Sequence, residues 1–322
     1  MKRWPVLLGL IVFLCAGGCN REPQSTQFQK PRIGFVMKTL NNPFFIRMEE
    51  GAREAAERLN VELIVQAADR EIDVERQMQI IENLIETNVD ALCITPSGSR
   101  EVVSAIAKAN QANIPVLIVD TKVDEKTAQD MNVSYVTFIG SDNYQGGLLA
   151  GRHFAQKFQE PTELVILEGI PGHETHDSRL QGFLDGVKDA PYLTIAASQP
   201  ANTERDQGFN VFQNILQTHP NVKALFSTND MMALGAVEAI KAAGKEGEIA
   251  VIGFDAIEEA RSAIRQGRME GSIAQFPDEM GRAAVVNAVN VLNGESIPDK
   301  IPVKIELITK ENVGSANESK NG

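Results

Sequence analysis

The segment Lys38-Thr39-Leu40-Asn41-Asn42-Pro43-Phe44-Phe45 separates a short apolar run at 33–37 from an amphipathic stretch at 44–59. A short apolar run favours a buried strand, whereas apolar residues spaced three or four positions apart favour a helix. Proline is well tolerated at the first position of a helix, and asparagine is a good residue just before it. The segment therefore predicts a strand end, a turn and a helix start.

The same alternation continues along the rest of the chain. Because the apolar runs show no polar face, we expect each strand to be covered on both sides, as in parallel sheets between helices. About ten strands over about 280 residues fit two doubly wound α/β domains better than one. The apolar runs lie at 33–37, 61–66, 91–95, 116–120, 136–139, 164–168, 194–198, 224–227, 250–254 and 271–274. The helical stretches lie at 44–59, 73–86, 101–112, 144–159, 178–188, 205–217 and 231–243.

The N-terminus has the layout of an export signal. Lys2 and Arg3 precede an apolar stretch at 4–16, and Ala16-Gly17-Gly18 leads to Cys19. An apolar core of this length is typical of a cleaved secretory signal and short for a bilayer span. The pattern resembles a bacterial lipoprotein signal, which predicts a signal peptide at 1–18 and a lipid on Cys19. An ordinary signal with an incidental cysteine is the alternative.

The remaining composition narrows the class of protein. The 322 residues carry a formal net charge of -12, which disfavours nucleic acid and anionic membrane surfaces as partners. The polar stretch 19–30 predicts a tether, and 313–322 a flexible tail. Cys93 lies in an apolar run and predicts a buried, unpaired thiol. We find no glycine-rich phosphate loop.

Polar side chains follow many of the apolar runs. In open parallel sheets, ligands bind at the carboxyl ends of the strands, near helix N-termini. Carboxylates accept hydrogen bonds from sugar hydroxyls, cations donate them, amides do both, and aromatic rings pack on the apolar faces of a pyranose. The residues that follow the apolar runs are of these types, and together they favour a neutral sugar as the ligand. They are Lys38, Asn41, Asn42, Phe44, Phe45, Asp120, Arg179, Asn229, Asp230, Asp255 and Gln275.

The order of these motifs resembles the ribose-type periplasmic sugar-binding proteins, the type I solute receptors of ABC importers. The resemblance spans about residues 32–309 and rests on the segments 38–45, 109–115, 141–143, 197–201, 228–235, 253–255 and 273–278. It implies two α/β domains joined by three crossing strands, with the sugar in the cleft between them. The implied domains are 31–141 with 276–304, and 142–275 with 305–312.

The resemblance also implies a role for each site residue. The phenylalanines stack on the sugar ring, and the other side chains bond its hydroxyls. Lys38 matches a lysine of allose-type members, whereas Thr121 and Thr203 stand where ribose receptors carry an arginine and an aromatic residue. We therefore expect a hexose or hexulose of the allose type rather than ribose, with a sugar alcohol or another pentose as alternatives. The implied sugar-binding residues are Lys38, Asn42, Phe44, Phe45, Asp120, Arg179, Asn229, Asp255 and Gln275.

Other functions are less consistent with the sequence. His173 and His176 lack a clear third metal ligand, and nothing indicates that Asp142 and Asp255 flank one bond as glycosidase carboxylates do. A LacI-type regulator would need an N-terminal DNA-binding motif. We therefore expect a monomeric, exported binding protein without a cofactor that delivers its sugar to an ABC permease, and no enzyme. A receptor component that senses a sugar or autoinducer-2 stays open.

Overall fold

The computed structural model describes residue 1 and residues 30–314. The predicted signal peptide, the predicted lipid site at Cys19 and most of the tether and tail lie outside the described residues. Among the residues that are described, no helix combines the length and the apolar character that crossing a membrane requires.

Strands and helices alternate almost strictly along the chain. In chain order the elements are β1 (Arg32–Thr39), α1 (Pro43–Leu59), β2 (Glu62–Ala68), α2 (Val74–Glu86), β3 (Ala91–Ile94), α3 (Val102–Gln111), β4 (Val116–Val119), α4 (Glu125–Asp130), β5 (Thr137–Gly140), α5 (Asn143–Lys157), β6 (Thr162–Glu168), α6 (Glu174–Val187), β7 (Leu193–Pro200), α7 (Arg205–Thr218), β8 (Ala224–Ser227), α8 (Asp230–Ala242), β9 (Ala250–Asp255), α9 (Glu258–Arg265), β10 (Gly271–Ala274), α10 (Pro277–Leu292), β11 (Lys300–Pro302) and β12 (Glu306–Thr309).

The strands form two six-stranded sheets. The first has the order β11-β5-β4-β3-β1-β2 and the second the order β12-β10-β9-β8-β6-β7. All described pairings are parallel except that of β10 with β12. We call the first sheet with α1–α4 and α10 the first lobe, and the second sheet with α5–α9 the second lobe. The expected α/β fold with two doubly wound parallel sheets is confirmed.

The chain passes between the sheets three times within the described residues. It leaves the first sheet after β5, returns after β10, and leaves again between β11 and β12. On its return, α10 packs closely on α1, where a side-chain carbon added to Gly281 would lie only 1.9 Å from the Met48 carbonyl oxygen. Glycine at this position permits the contact that fastens the returning helix to the first lobe.

Burial follows the position of each strand in its sheet. The four-residue strands β3, β4 and β8 are buried at every position, as their continuous apolar sequences predict. Cys93 in β3 is fully buried, and burial raises the pKa of its thiol to about 12. The edge strands β2 and β7 are mostly half-buried or exposed, because each has a neighbour on one side only.

The predicted elements are present, and five further ones appear. All ten apolar runs are strands and all seven helical stretches are helices, with ends that shift by a few residues. The largest shift is in α6, which begins at Glu174 instead of residue 178. The elements that we did not predict are α4, α9, α10, β11 and β12. Both added strands are short and only partly apolar, so they give a weak periodic signal.

Candidate functional site

A cavity lies between the two lobes, at the carboxyl ends of their strands. Its free volume is about 20 Å³, or about 250 Å³ with the crevice that opens to solvent. A water needs about 10–15 Å³, so side chains nearly fill the space between the two walls. We call this space the inner cavity. It is lined by Lys38, Asn42, Phe44, Phe45, Glu71, Asp120, Thr175, His176, Arg179, Asn229 and Asp255.

A buried cation and two carboxylates form the charged part of the first-lobe wall. Lys38 Nζ lies 3.4 Å from Asp120 Oδ2 and 3.9 Å from Glu71 Oε2. The Thr121 hydroxyl also donates to Asp120 Oδ2, whereas Asp120 Oδ1 is buried and has no hydrogen-bond partner among the described residues. This oxygen can accept a hydrogen bond from a ligand hydroxyl without losing an existing one.

The start of α1 fixes an amide in the same wall. Asn42 caps the helix, because its Oδ1 accepts from the Phe44 backbone N–H at 3.0 Å. Its Nδ2 donates to Glu71 Oε1 at 3.2 Å, so the two contacts define which end of the amide is the donor. The second Nδ2 hydrogen can donate to a ligand.

Two aromatic rings complete this wall. The rings of Phe44 and Phe45 are 5.2 Å apart and nearly perpendicular, at 88°. Lys38 Nζ lies 5.7 Å from the centre of the Phe45 ring. Because the two rings are perpendicular, only one of them can lie parallel to a given sugar ring while the other meets it by its edge.

Arg179 organises the second-lobe wall. Its Nε donates to Asn143 Oδ1 at 2.9 Å, and its Nη1 donates to the Thr228 carbonyl oxygen at 2.8 Å. Nη1 also lies 3.6 Å from Asp255 Oδ1, and the guanidinium centre lies 3.8 Å from the centre of the Phe254 ring. The planar group is thus held by contacts along its edge and its face. The helical stretch expected at 178–188 puts Arg179 in the first turn, but it lies in the second turn because α6 begins at Glu174.

Asp255 is held from behind by Gln275. Gln275 Nε2 donates to Asp255 Oδ1 at 2.7 Å, and Gln275 is fully buried and does not line the inner cavity. Burial raises the pKa of Asp255 well above its usual range, and Arg179 opposes that shift. The structure therefore brings eight of the nine predicted sugar-binding residues to one cavity and places the ninth directly behind it.

The backbone is strained at both cavity carboxylates. Asp120 has φ 65° and Asp255 has φ 111°. Residues other than glycine rarely adopt positive φ, and such strain costs about 1–3 kcal/mol and clusters at functional sites. Asp120 directly follows β4 and Asp255 is the last residue of β9, so the unusual φ turns the chain out of the strand where each carboxylate enters the cleft.

The side chain of the neighbouring Asp230 has a structural role. It is fully buried, and its Oδ2 accepts from the Ile257 N–H and its Oδ1 from the Ser272 hydroxyl. Burial raises the pKa of Asp230 to about 7. Asn229 beside it does line the cavity, caps α8 through Oδ1 and donates through Nδ2 to the Thr203 carbonyl oxygen at 3.3 Å.

Three cavity residues were not in the predicted set: Glu71, Thr175 and His176. Glu71 follows an edge strand in a polar stretch that looks like a surface loop, although it is only 7% exposed. Burial raises the pKa of Glu71, and Lys38 opposes the shift. In the sequence His176 stands out only as a possible metal ligand, and Thr175 does not stand out. The carboxyl end of the preceding strand was the signal that could have identified them.

The two histidines at the start of α6 are buried. His173 and His176 are each 5% exposed, and burial lowers the pKa of both well below the usual value. His176 Nδ1 lies 3.2 Å from the Thr228 hydroxyl. In the part of the chain that the structure describes, no three histidine, cysteine or acidic side chains group as metal ligands do.

Several contacts join the lobes around the cavity. The hydroxyls of Thr121 and Thr175 are 2.9 Å apart, and Lys122 Nζ lies 3.2 Å from Glu174 Oε1. On another side of the cleft, Arg70 Nε lies 3.1 Å from Glu204 Oε1. These contacts form only when the lobes are close, so they stabilise the closed arrangement over an open one.

Comparison with known proteins agrees with this architecture. A family model described as a periplasmic binding protein domain matches residues 33–296. The ribose import binding protein of Escherichia coli K12 is 37% identical over 311 residues, which cover 97% of this chain and 99% of that protein. The D-allose-binding periplasmic protein of the same organism is 32% identical over 281 residues, covering 86% of this chain and 90% of that protein.

A solved structure has the same fold. It is that of an ABC transporter periplasmic solute binding protein from Actinobacillus succinogenes 130z with bound D-allose. The TM-score is 0.85 and the sequence identity 37%, and the match covers 89% of this chain and 100% of that one.

Proposed function

The chain belongs to the periplasmic binding protein family, and we propose that it captures a neutral monosaccharide between its lobes and delivers it to an ABC importer. Its relatives are solute-binding proteins, so the chain is a binding protein and no enzyme. The observation that carries the proposal is the inner cavity, whose eleven lining residues come from both lobes and carry paired, buried charges.

The charges around the inner cavity favour a neutral ligand. Its formally ionisable side chains, apart from His176, are two cations, Lys38 and Arg179, and three carboxylates. Each cation already lies close to carboxylates of the walls. A phosphorylated sugar would compete with these carboxylates for the cations and bring further negative charge next to Asp120, which disfavours it.

Hinge motion fits the small free volume. Side chains leave about 20 Å³ between the walls, so a sugar enters only if the lobes move apart. The three interlobe passages are a natural hinge, and a ligand that touches both walls shifts the equilibrium towards the closed form. We propose the boundaries 31–141 with 276–304 and 142–275 with 305–312 for the two moving bodies.

We propose a hexose or hexulose of the allose type as the preferred sugar. Lys38 supports this proposal, because its buried ammonium group contributes a donor at the end of the first-lobe wall. Relatives and solved neighbours bind sugars of several shapes: one is named for D-allose, another for ribose, and a third was solved with alpha-D-tagatopyranose. A pentose therefore belongs in every binding test.

We further propose that the protein acts outside the cytoplasm as a monomer. Its family supports export, and the sequence around Cys19 supports a lipid anchor at the first mature residue. Metabolic labelling with a clickable fatty acid tests the anchor: Cys19→Ala should abolish the label, whereas Cys15→Ala should retain it. Retained label in Cys19→Ala would contradict the anchor without affecting the sugar-binding proposal.

Isothermal titration of the mature protein with D-allose, D-ribose, D-tagatose and myo-inositol tests the binding function. We expect one monosaccharide to bind with a dissociation constant of about 10 μM or below, and we expect the corresponding sugar phosphate not to bind. Binding of every sugar weaker than about 1 mM would contradict the proposal.

A further inference from the structure

A second cavity adjoins the inner cavity and is much larger. Its free volume is about 260 Å³, against about 20 Å³ for the inner cavity. Asn42 and Glu71 line both spaces, so these two side chains form the boundary between them. We call the second space the outer compartment. Its remaining walls are Thr39, Asn41, Asp69, Arg70, Thr203, Glu204 and Met231.

The outer compartment runs from the buried interior towards solvent. Asn42, Glu71 and Thr203 are 5–7% exposed and lie at its inner end. Asp69 and Arg70 are exposed and lie at its outer end. A group attached to a sugar in the inner cavity could therefore extend past Asn42 and Glu71 towards solvent.

The walls of the compartment are fixed by their own hydrogen bonds. The Thr39 hydroxyl and Asn41 Nδ2 both donate to the Asp69 backbone oxygen, at 3.0 and 2.6 Å. The second-lobe wall at Thr203 is tied to Asn229. At the rim, the Arg70–Glu204 ion pair joins the lobes. The compartment is therefore already formed while the lobes are in contact.

Its chemistry favours a neutral group that carries hydroxyls. Asp69 and Glu204 outnumber the single cation Arg70, which is paired with Glu204. The Asp69 carboxylate is exposed at the outer end of the compartment and can accept from a hydroxyl. An added phosphate or carboxylate would face an excess of negative charge.

We propose that the outer compartment is a second subsite, which accepts a neutral hydroxyl-bearing substituent on the bound sugar. The receptor then takes sugars that are extended at one position as well as free monosaccharides. This inference rests on the proposed sugar-binding function and assigns the larger space in the cleft to the extended part of the ligand.

Isothermal titration tests the subsite with D-allose, D-ribose and their 2-hydroxyethyl ethers. The substituent is attached either at the anomeric oxygen, which makes a glycoside, or at the terminal hydroxymethyl oxygen, and we call both kinds of compound ethers. Met231 lines the outer compartment only, so Met231→Trp reduces its volume, and Asn41→Trp does so from the opposite wall. Met131→Trp is the matched control, because Met131 is 47% exposed at the end of α4 and lines neither space.

We expect at least one ether to bind the wild type within about tenfold of its parent sugar. Met231→Trp or Asn41→Trp should weaken that ether by about tenfold or more and the parent by less than about threefold, and Met131→Trp should change neither. The inference is overturned if every ether binds about a hundredfold weaker than its parent, or if both compartment variants weaken parent and ether equally. If no parent sugar binds, the proposed function fails and the subsite fails with it.

Discussion

Lys38 Nζ lies 3.4 Å from Asp120 Oδ2, and both side chains are almost completely shielded from solvent. The same carboxylate oxygen accepts from Thr121, whose hydroxyl also contacts Thr175 in the other lobe. One carboxylate oxygen is therefore occupied by the protein, and the other is left for a ligand. Asp120 Oδ2 therefore links Lys38, through Thr121, to the contact with Thr175 that joins the two lobes.

Asp120→Asn should weaken sugar binding by about tenfold to a hundredfold, because a neutral amide replaces the carboxylate that lines the inner cavity and that we propose accepts from a sugar hydroxyl. Asparagine tolerates positive φ, so the backbone at this position is not further strained. Loss of one partner of Lys38 should also lower the free energy of unfolding by about 1–3 kcal/mol. Titration calorimetry and urea unfolding measure the two effects.

The control for this prediction is Asp142→Asn. Asp142 is exposed and caps α5 by accepting from the Gln145 N–H, and asparagine caps a helix equally well. Sugar affinity should be unchanged in this variant. Equal affinity in Asp120→Asn and Asp142→Asn would show that Asp120 does not contact the ligand.

Arg179→Lys should reduce sugar affinity by about a hundredfold and also destabilise the fold by about 2–4 kcal/mol. A lysine cannot reach Asn143 and Thr228 at the same time, and it leaves Asp255 with a weaker partner. Thermal unfolding of the sugar-free protein measures the loss of stability.

Arg152→Lys is the matched control for Arg179→Lys. Arg152 is exposed on α5 and does not line the inner cavity. The substitution there should leave affinity and unfolding temperature unchanged. If Arg179→Lys unfolds at the wild-type temperature, the hydrogen bonds to Asn143 and Thr228 contribute little to stability.

The sequence predicts most of this site because each motif has a local signal. An apolar run followed by Asp120 or Asp255 shows where a strand ends, and Asn42 with the following proline shows where a helix begins. Parallel strands then place these ends on one edge of a sheet. The order of the motifs, through the family resemblance, predicts that two such edges face each other.

Glu71 is a cavity residue that no sequence pattern reveals. The residue follows the edge strand β2 in a polar stretch, and its burial comes from contacts with Lys38 and Asn42, about 30 positions away in the chain. Such packing leaves no periodic pattern. The sequence also starts α6 too late, at residue 178, because Glu174–Asp177 is a polar first turn without an apolar face.

Glu71→Gln and Glu71→Leu should have different effects. Glutamine retains an acceptor for Asn42 Nδ2, and it resembles the protonated carboxyl that burial favours. We therefore expect Glu71→Gln to change affinity by less than about fivefold. Leucine removes the acceptor and leaves a buried N–H unpaired, so Glu71→Leu should cost about 1–3 kcal/mol of binding free energy.

The distinction between the two variants separates a charge effect from a positioning effect. If both variants weaken binding to the same extent, sugar affinity depends on the negative charge of Glu71, which acts on the nearby Lys38. If neither does, Asn42 is held in place by its contact with the Phe44 N–H alone. A Glu49→Gln variant on the outer part of α1 controls for the loss of charge.

The stability of the closed protein should decrease as the pH falls below about 6.5 because of His173 and His176. Burial lowers the pKa of both below the unfolded value. The stabilising contribution is therefore present above the unfolded pKa and is lost as the pH falls towards the folded pKa. Each group can lose up to about 1.4 kcal/mol per pH unit in that range.

Four carboxyl groups oppose this trend and have to be separated from it. Burial raises the pKa of Glu71, Asp177, Asp230 and Asp255, so their contributions are present at low pH and are lost as the pH rises. The measurement is therefore the difference between the wild type and the double variant His173→Gln/His176→Gln, by urea unfolding from pH 7.5 to 5. We expect a smaller loss of stability on acidification in the double variant.

His219→Gln, on the far side of the second lobe at the end of α7, should follow the wild-type curve. Parallel curves for the wild type and the double variant would mean that the two histidines bind protons as readily in the folded protein as in the unfolded chain.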